Sequence, residues 1–130
     1  MNAIVSAELA DDLTIDITTT GVRSRRPRRI EIWMLDVGGR YFITGTPGPR
    51  DWLANLMADP SLTVHLKRVA HTDLAATARP VTDRATRRDV LTHPSAQWYR
   101  EQATLEHLLA EAPLVEVTLV ELTPLDDENA

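Results

Sequence analysis

The sequence predicts a mainly β (α+β) fold, an antiparallel β-barrel with a few short helices, on three observations. Several segments alternate apolar and polar residues with the period of a half-buried strand. Glycine pairs and prolines punctuate these segments at short intervals, as hairpins and tight connections require. Helical stretches are few and do not regularly separate the strands, which favours a barrel over a doubly wound sheet.

Residues Ser6 to Asp12 read as a short helix or a mobile lead-in. Leu13 to Thr19 then alternates, with Leu13, Ile15 and Ile17 set against Thr14, Asp16 and Thr18. Gly21 ends this strand, and an arginine-rich loop follows with Pro27 inside it. From Ile30 to Val37, Ile30, Ile32, Met34 and Asp36 share one face, and Glu31, Trp33, Leu35 and Val37 the other. Gly38-Gly39 permits the positive φ angles of a two-residue turn, making Arg40 to Thr44 the hairpin partner.

Gly45 to Pro49 is rich in turn residues and cannot continue a strand. A helix is expected from about Arg50 to Ala58, with Asp51 capping or charging its first turn and Asp59-Pro60 closing it. Leu62 to Val69 and Asp73 to Val81 read as strands. Thr82 or Asp83 caps a helix toward Thr92, His93-Pro94 interrupts it, and Ser95 starts another helix reaching Leu109. Leu114 to Leu122 is the last strand, stopped by Pro124, and residues from Asp126 to Ala130 have the composition of a disordered tail.

The 130 residues fit one domain, 1–130, large enough to bury its own core. The absence of cysteine excludes disulfides and thiolate chemistry. Met1 to Leu9 lacks the basic start and apolar run of a signal peptide. No stretch approaches the roughly 20 apolar residues of a membrane span, so a cytoplasmic protein is expected. The net charge of −5 argues against a general nucleic-acid binder. Against that acidic background, Arg23, Arg25, Arg26, Arg28 and Arg29 crowd one segment, with no acidic residue between Asp16 and Glu31.

That segment, TTTGVRSRRPR from Thr18, combines hydroxyls, a glycine and guanidinium groups, the ingredients of a phosphate site. It reads equally as a solvated loop, or as arginines paired with acids elsewhere. A nucleic-acid patch is the weaker alternative, because no aromatics are interleaved. A second constellation is TGTPGPRDWLANL from Thr44, a glycine-containing loop opening a helix. Trp52 and Asn55 share a helix face there, an indole able to cover a planar ring and an amide able to meet its polar edge. Trp52 reads as well as a core residue.

Taken together and in order, the run from Gly21 to Lys67 resembles the deazaflavin-dependent nitroreductase family, within the flavin-reductase-like and pyridoxamine-phosphate-oxidase-like split barrels. The elements carrying the resemblance are Gly21, Ser24, Arg28, the Gly38-Gly39 turn, Gly45 to Gly48, Trp52, Asn55, Leu56 and Pro60. It covers about a third of the chain. The resemblance implies an antiparallel split β-barrel and a homodimer. It also implies a reductase binding coenzyme F420, with FMN as the alternative, that passes hydride to a small quinone or nitro compound. Arg23, Ser24 and Arg28, with Arg26 beside them, would hold the phosphate and the neighbouring tail. Thr44, Gly45, Thr46, Gly48 and Arg50 would line the same groove, with Trp52 and Asn55 supporting the ring.

Three departures from the pattern stand out. Arg25 replaces the usual glycine after Ser24, the N-terminal extension of membrane-associated members is missing, and the C-terminal aromatic wall is reduced to Trp98 and Tyr99. The last motivates a second reading, a non-catalytic module that binds or scavenges a flavin, F420 or haem. A third is a regulatory domain docking an acidic partner through its arginines. Hydride transfer is cofactor chemistry, so no protein acid or base is demanded and none is assigned. His65, His71, His93 and His107 lack metal-ligand spacing and read as structural or surface residues, with no metal expected.

Overall fold

The structure, a computed structural model, describes residues 3–11 and 13–120. The expected end of the lead-in at Asp12, the end of the last strand at Leu122 and the tail from Asp126 lie outside the described residues. Helix α1 spans Ala3–Leu9, followed by strands β1 (Leu13–Thr20), β2 (Pro27–Val37) and β3 (Arg40–Thr44). Helix α2 (Asp51–Ala58) leads into β4 (Ser61–Leu66) and β5 (Thr72–Pro80). Then come α3 (Arg84–Thr92), a 3₁₀ turn (Pro94–Ala96), α4 (Gln97–Gln102), α5 (Leu105–Glu111) and β6 (Leu114–Leu119).

The strands close into an antiparallel barrel in the order β1-β2-β3-β6-β5-β4. Closure leaves no sheet edge free to recruit another strand. Strand β1 pairs with β2 from Leu13↔Met34 to Thr20↔Pro27, and with β4 through Asp16↔His65 to Thr18↔Thr63. Gly38 and Gly39 take φ of 62° and 84°, the left-handed values their turn needs.

The period-2 alternation sorts each strand into an inner and an outer face. Ile15, Ile17, Met34, Ile43, Val64 and Val115 point inward and are 1% exposed or less. Helix α1 adds Val5 and Leu9 to that core at the end where β1 begins, and α2 adds Trp52 and Leu56 at the end where β1 finishes. Each fully buried aliphatic side chain contributes about 1.5–3 kcal/mol of transfer free energy. Outside the barrel, Leu35, Phe42 and Leu114 pack against Val90, Leu91, Tyr99, Leu108 and Leu109 of α3, α4 and α5. Both faces of β2 are therefore buried at Met34-Leu35.

Several expected boundaries shift for local reasons. Pro27 is no loop residue but opens β2, so Arg28 and Arg29 lie on a strand paired with Thr19 and Thr18. Arg50 is extended and serves as the N-cap of α2, while Asp51 makes no cap bond and lies in the first turn. Strand β4 stops at Leu66 rather than Val69. The single helix expected from Ser95 is a 3₁₀ turn and two helices, because the extended Ala103 ends α4 and the Thr104 hydroxyl caps α5 by accepting from His107 N at 3.2 Å. Asp83, not Thr82, caps α3 by accepting from Thr86 N.

Beyond β4, residues 68–70 wrap around the Glu8 carboxylate of α1. Its oxygens accept from the backbone N–H groups of Arg68 (3.2 Å), Val69 (2.8 Å) and Ala70 (2.7 Å). Burial pushes the Glu8 pKa up, but these N–H groups and the nearby Arg68 charge outweigh it and hold the pKa below its ordinary 4.5. A depressed carboxyl stabilises the fold above its unfolded value, and that contribution is lost as pH falls through the folded value. Glu8→Gln should therefore cost about 2 kcal/mol near neutral pH. It should also flatten the stability curve below about pH 4.5. Urea unfolding at several pH values checks both, and an unchanged acid limb would refute the assignment.

Candidate functional site

Where β1 passes into β2, residues 21–26 form a loop closed on itself. Gly21 N donates to Arg26 O and Arg25 N to Gly21 O, both at 2.9 Å, and Arg26 N donates to the Ser24 hydroxyl at 3.2 Å. A Cβ on Gly21 would lie 2.5 Å from that hydroxyl, so a side chain there would have to move the Ser24 Oγ away from its bond to Arg26 N. The N–H groups of Arg23 and Ser24 have no hydrogen-bond partner among the described residues. Consecutive free donors in such a turn make an anion-binding concavity.

The guanidinium groups of Arg23, Arg25, Arg26 and Arg28 likewise make no ion pair or hydrogen bond among the described residues. Other arginines of the chain, Arg68 apart, are matched. Arg29 reaches Asp16 at 2.9 Å, Arg40 and Arg79 share Glu116, Arg84 and Arg88 share Glu106, and Arg50, Arg87 and Arg100 donate to backbone carbonyls. On the outer barrel face, Lys67 and Arg29 hydrogen-bond Asp16 and hold its carboxyl below the usual range, and Lys67 also pairs with Glu31. Among the described residues, the expectation that the loop arginines are neutralised by acids elsewhere is met by Arg29 alone.

Across from the loop, the N-terminal half of α2 forms the other wall of a cleft of about 1020 Å³. Arg23, Ser24, Arg28, Trp52 and Asn55 all border it, joining the two constellations singled out in the sequence. Thr19, Val22, Ile30 and Asp51 complete much of the lining. Trp52 is 7% exposed and belongs to the barrel core as well, so it offers the cleft only a small part of its indole. Asn55 is as deeply buried. Its Oδ1 accepts from Val22 N at 3.1 Å and its Nδ2 donates to the Thr19 hydroxyl at 3.0 Å.

The remaining expected residues lie elsewhere. Thr44 is buried, and its hydroxyl donates to Pro113 O at 2.7 Å. Arg50 folds back on its own loop, donating to Thr46 O at 2.7 Å and to the Thr46 hydroxyl at 2.9 Å, close over Gly45. Gly48, at φ 138°, borders a second cavity of about 470 Å³ with Leu53 and Met57 of α2. Arg26 is exposed and outside the cleft lining. His65, read from the sequence as a structural or surface residue, is 7% exposed on the outer face. Its Nε2 meets the Thr18 hydroxyl at 2.6 Å and its Nδ1 meets Asp73 at 2.7 Å. The period-2 pattern placed it outward, but only the register of β1, β4 and β5 brings its partners beside it.

A family model described as F420H(2)-dependent quinone reductase matches residues 2–110. Among solved structures, one titled F420 reductase is 15% identical, with a TM-score of 0.62, covering 89% of this chain and 93% of that one. A pyridoxinephosphate oxidase family protein from Clostridium acetobutylicum, related to general stress protein 26, is 16% identical, with a TM-score of 0.63 and coverage of 89% and 82%. A third, titled domain-swapped dimer, is 21% identical, with a TM-score of 0.54 and coverage of 83% and 82%. No curated protein matches the chain.

Arg25 holds φ at 57°, the left-handed region that glycine enters without a Cβ clash. For an arginine this costs about 1 kcal/mol. Its side chain is exposed and has no partner among the described residues, so little is lost on removing it. Arg25→Gly should therefore raise unfolding stability by about 1 kcal/mol in a urea titration. A loss of stability would show that the side chain has a role in the fold.

Proposed function

The chain belongs to the F420H(2)-dependent quinone reductase family, and from that premise we propose that it is a reductase using coenzyme F420 held in the cleft between the arginine loop and α2. The observation that carries this reading is the pair of guanidiniums of Arg23 and Arg28, beside the backbone N–H groups of Arg23 and Ser24, on the lining of one cleft and all without a partner among the described residues. Such a donor set fits a phosphate, which accepts charge-assisted hydrogen bonds from arginine and from turn N–H groups alike.

In this reading Arg23 and Arg28 neutralise the phosphate, with the Ser24 hydroxyl and the N–H groups of Arg23 and Ser24 adding donors. The α2 face beginning at Trp52 provides the wall against which the ring lies. Bound and reduced, F420 supplies a hydride to a small organic acceptor, for which we assign the quinone and nitro-compound class. The protein's own part is to hold the coenzyme in place and shield one side of it, and no side chain of the cleft is assigned a proton-transfer step. F420 is preferred to FMN because the family model is described by the former.

Titration against F420 and FMN, followed by cofactor fluorescence, tests the reading. F420 should bind with micromolar affinity or better, and Arg23→Ala or Arg28→Ala should weaken it about tenfold or more. Failure to bind either cofactor at millimolar concentration overturns the proposal. Tight binding without turnover of quinones or nitroaromatics by the reduced coenzyme would favour the non-catalytic module instead.

We also assign a homodimer. One structural neighbour is titled a domain-swapped dimer. In addition, Trp33 and Trp98 stack edge to face at 5.4 Å yet remain 43% and 46% exposed, an apolar surface that association would cover. Sedimentation at micromolar concentration should give about twice the mass of one chain, and a monomer there would contradict it.

A further inference from the structure

We infer that Asn55 is a positioning residue of the anion site, which orders the arginine loop and leaves the coenzyme ring to other groups. This rests on the reading of the cleft as a phosphate site. The amide is committed on both of its polar atoms, to Val22 N through Oδ1 and to the Thr19 hydroxyl through Nδ2. At 6% exposure it has little surface left to meet a ring edge.

The loop itself has few other ties to the fold. The hydrogen bonds of Gly21, Ser24, Arg25 and Arg26 stay within residues 21–26. Val22 is 45% exposed, so apolar burial does little to hold it. The exposed side chains of Arg23, Arg25, Arg26 and Arg28 make no ion pair or hydrogen bond among the described residues, so they add no tie either. Against that stands the Asn55 amide, a bridge from α2 to Val22 and to Thr19 at the end of β1. By fixing Val22, the bridge sets where the next two residues, Arg23 and Ser24, present their free N–H groups. Donors ordered before the ligand arrives cost less to immobilise on binding.

The distinguishing prediction is that Asn55 matters for the phosphate and not for the ring. Fluorescence titrations compare F420 with its phosphate-free chromophore, and FMN with riboflavin. In Asn55→Ala, affinity for F420 or FMN should fall roughly tenfold, while affinity for the phosphate-free partner changes by less than about twofold. Thr19→Val should show the same split at about threefold, and Thr19→Ser, which keeps the hydroxyl, should behave as the unsubstituted protein. The threonine variants carry the test if Asn55→Ala does not fold, with circular dichroism and thermal melting as the check. Equal losses for both members of a pair in a folded variant would overturn the inference, because Asn55 would then act on the ring. No loss in either would overturn it too, since the loop would be ordered without the bridge. An unsubstituted protein that does not favour the phosphate-bearing member would bring down the phosphate reading itself, before any variant is measured.

Discussion

A buried amide ties helix α2 to the loop that carries Arg23, Arg25 and Arg26 between β1 and β2. Asn55 comes from the helix that plugs one end of the barrel, and it bonds to the last turn of backbone before the arginines begin. The helix is fixed because Trp52 and Leu56 are sunk in the inner core. Strand β1 is fixed because it pairs along both edges, with β2 and β4. The arginine turn is therefore tied to a helix and a strand that are each held by the core and the sheet. Loops that bind ligands generally depend on such support from a rigid scaffold.

The barrel's closure explains why the site lies at an end. Every strand has two neighbours, so no edge is available for a ligand to extend. The outer face of β2, β3 and β6 is covered by the helical layer around Leu35, Phe42 and Leu114, and the interior is filled. What is left is the rim, where β1 turns into β2 and α2 lies across the opening. There the inward-facing Ile30, paired with Ile17, emerges from the core and becomes 38% exposed at the cleft.

Much of this was readable from residue order. Alternation gave the strands of the first half, and Gly38-Gly39 gave the hairpin, because a turn with two positive φ angles admits few other residues. The i, i+3 spacing put Trp52 and Asn55 on one helix face, and the structure brings that face to the arginine loop. What Asn55 would touch was not readable, since an amide serves a ring edge or a backbone N–H equally well. The glycine loop after β3 was recognisable as a loop, but its direction was not. Arg50 returns to Thr46 rather than to the cleft, a choice made by local carbonyls that no spacing reveals. The break between α4 and α5 escaped for a similar reason, because Thr104 can sit in a helix as easily as it caps one.

The burial of Trp52 has a consequence for how fold and binding are coupled. With 7% of its surface exposed, the indole gives most of its area to the core and little to any ring in the cleft. The indole therefore has little area to offer for stacking, and the larger exposed side chains on the cleft lining include the cationic Arg23 and Arg28. That division matches a loop whose guanidiniums are, Arg29 apart, without an acidic partner among the described residues. A ligand that binds only the folded loop also stabilises the fold by mass action. The left-handed backbone of Arg25, the close approach of Ser24 to Gly21 and the buried Asn55 bridge thus belong to one turn, the one that brings Arg23 and Ser24 to the cleft.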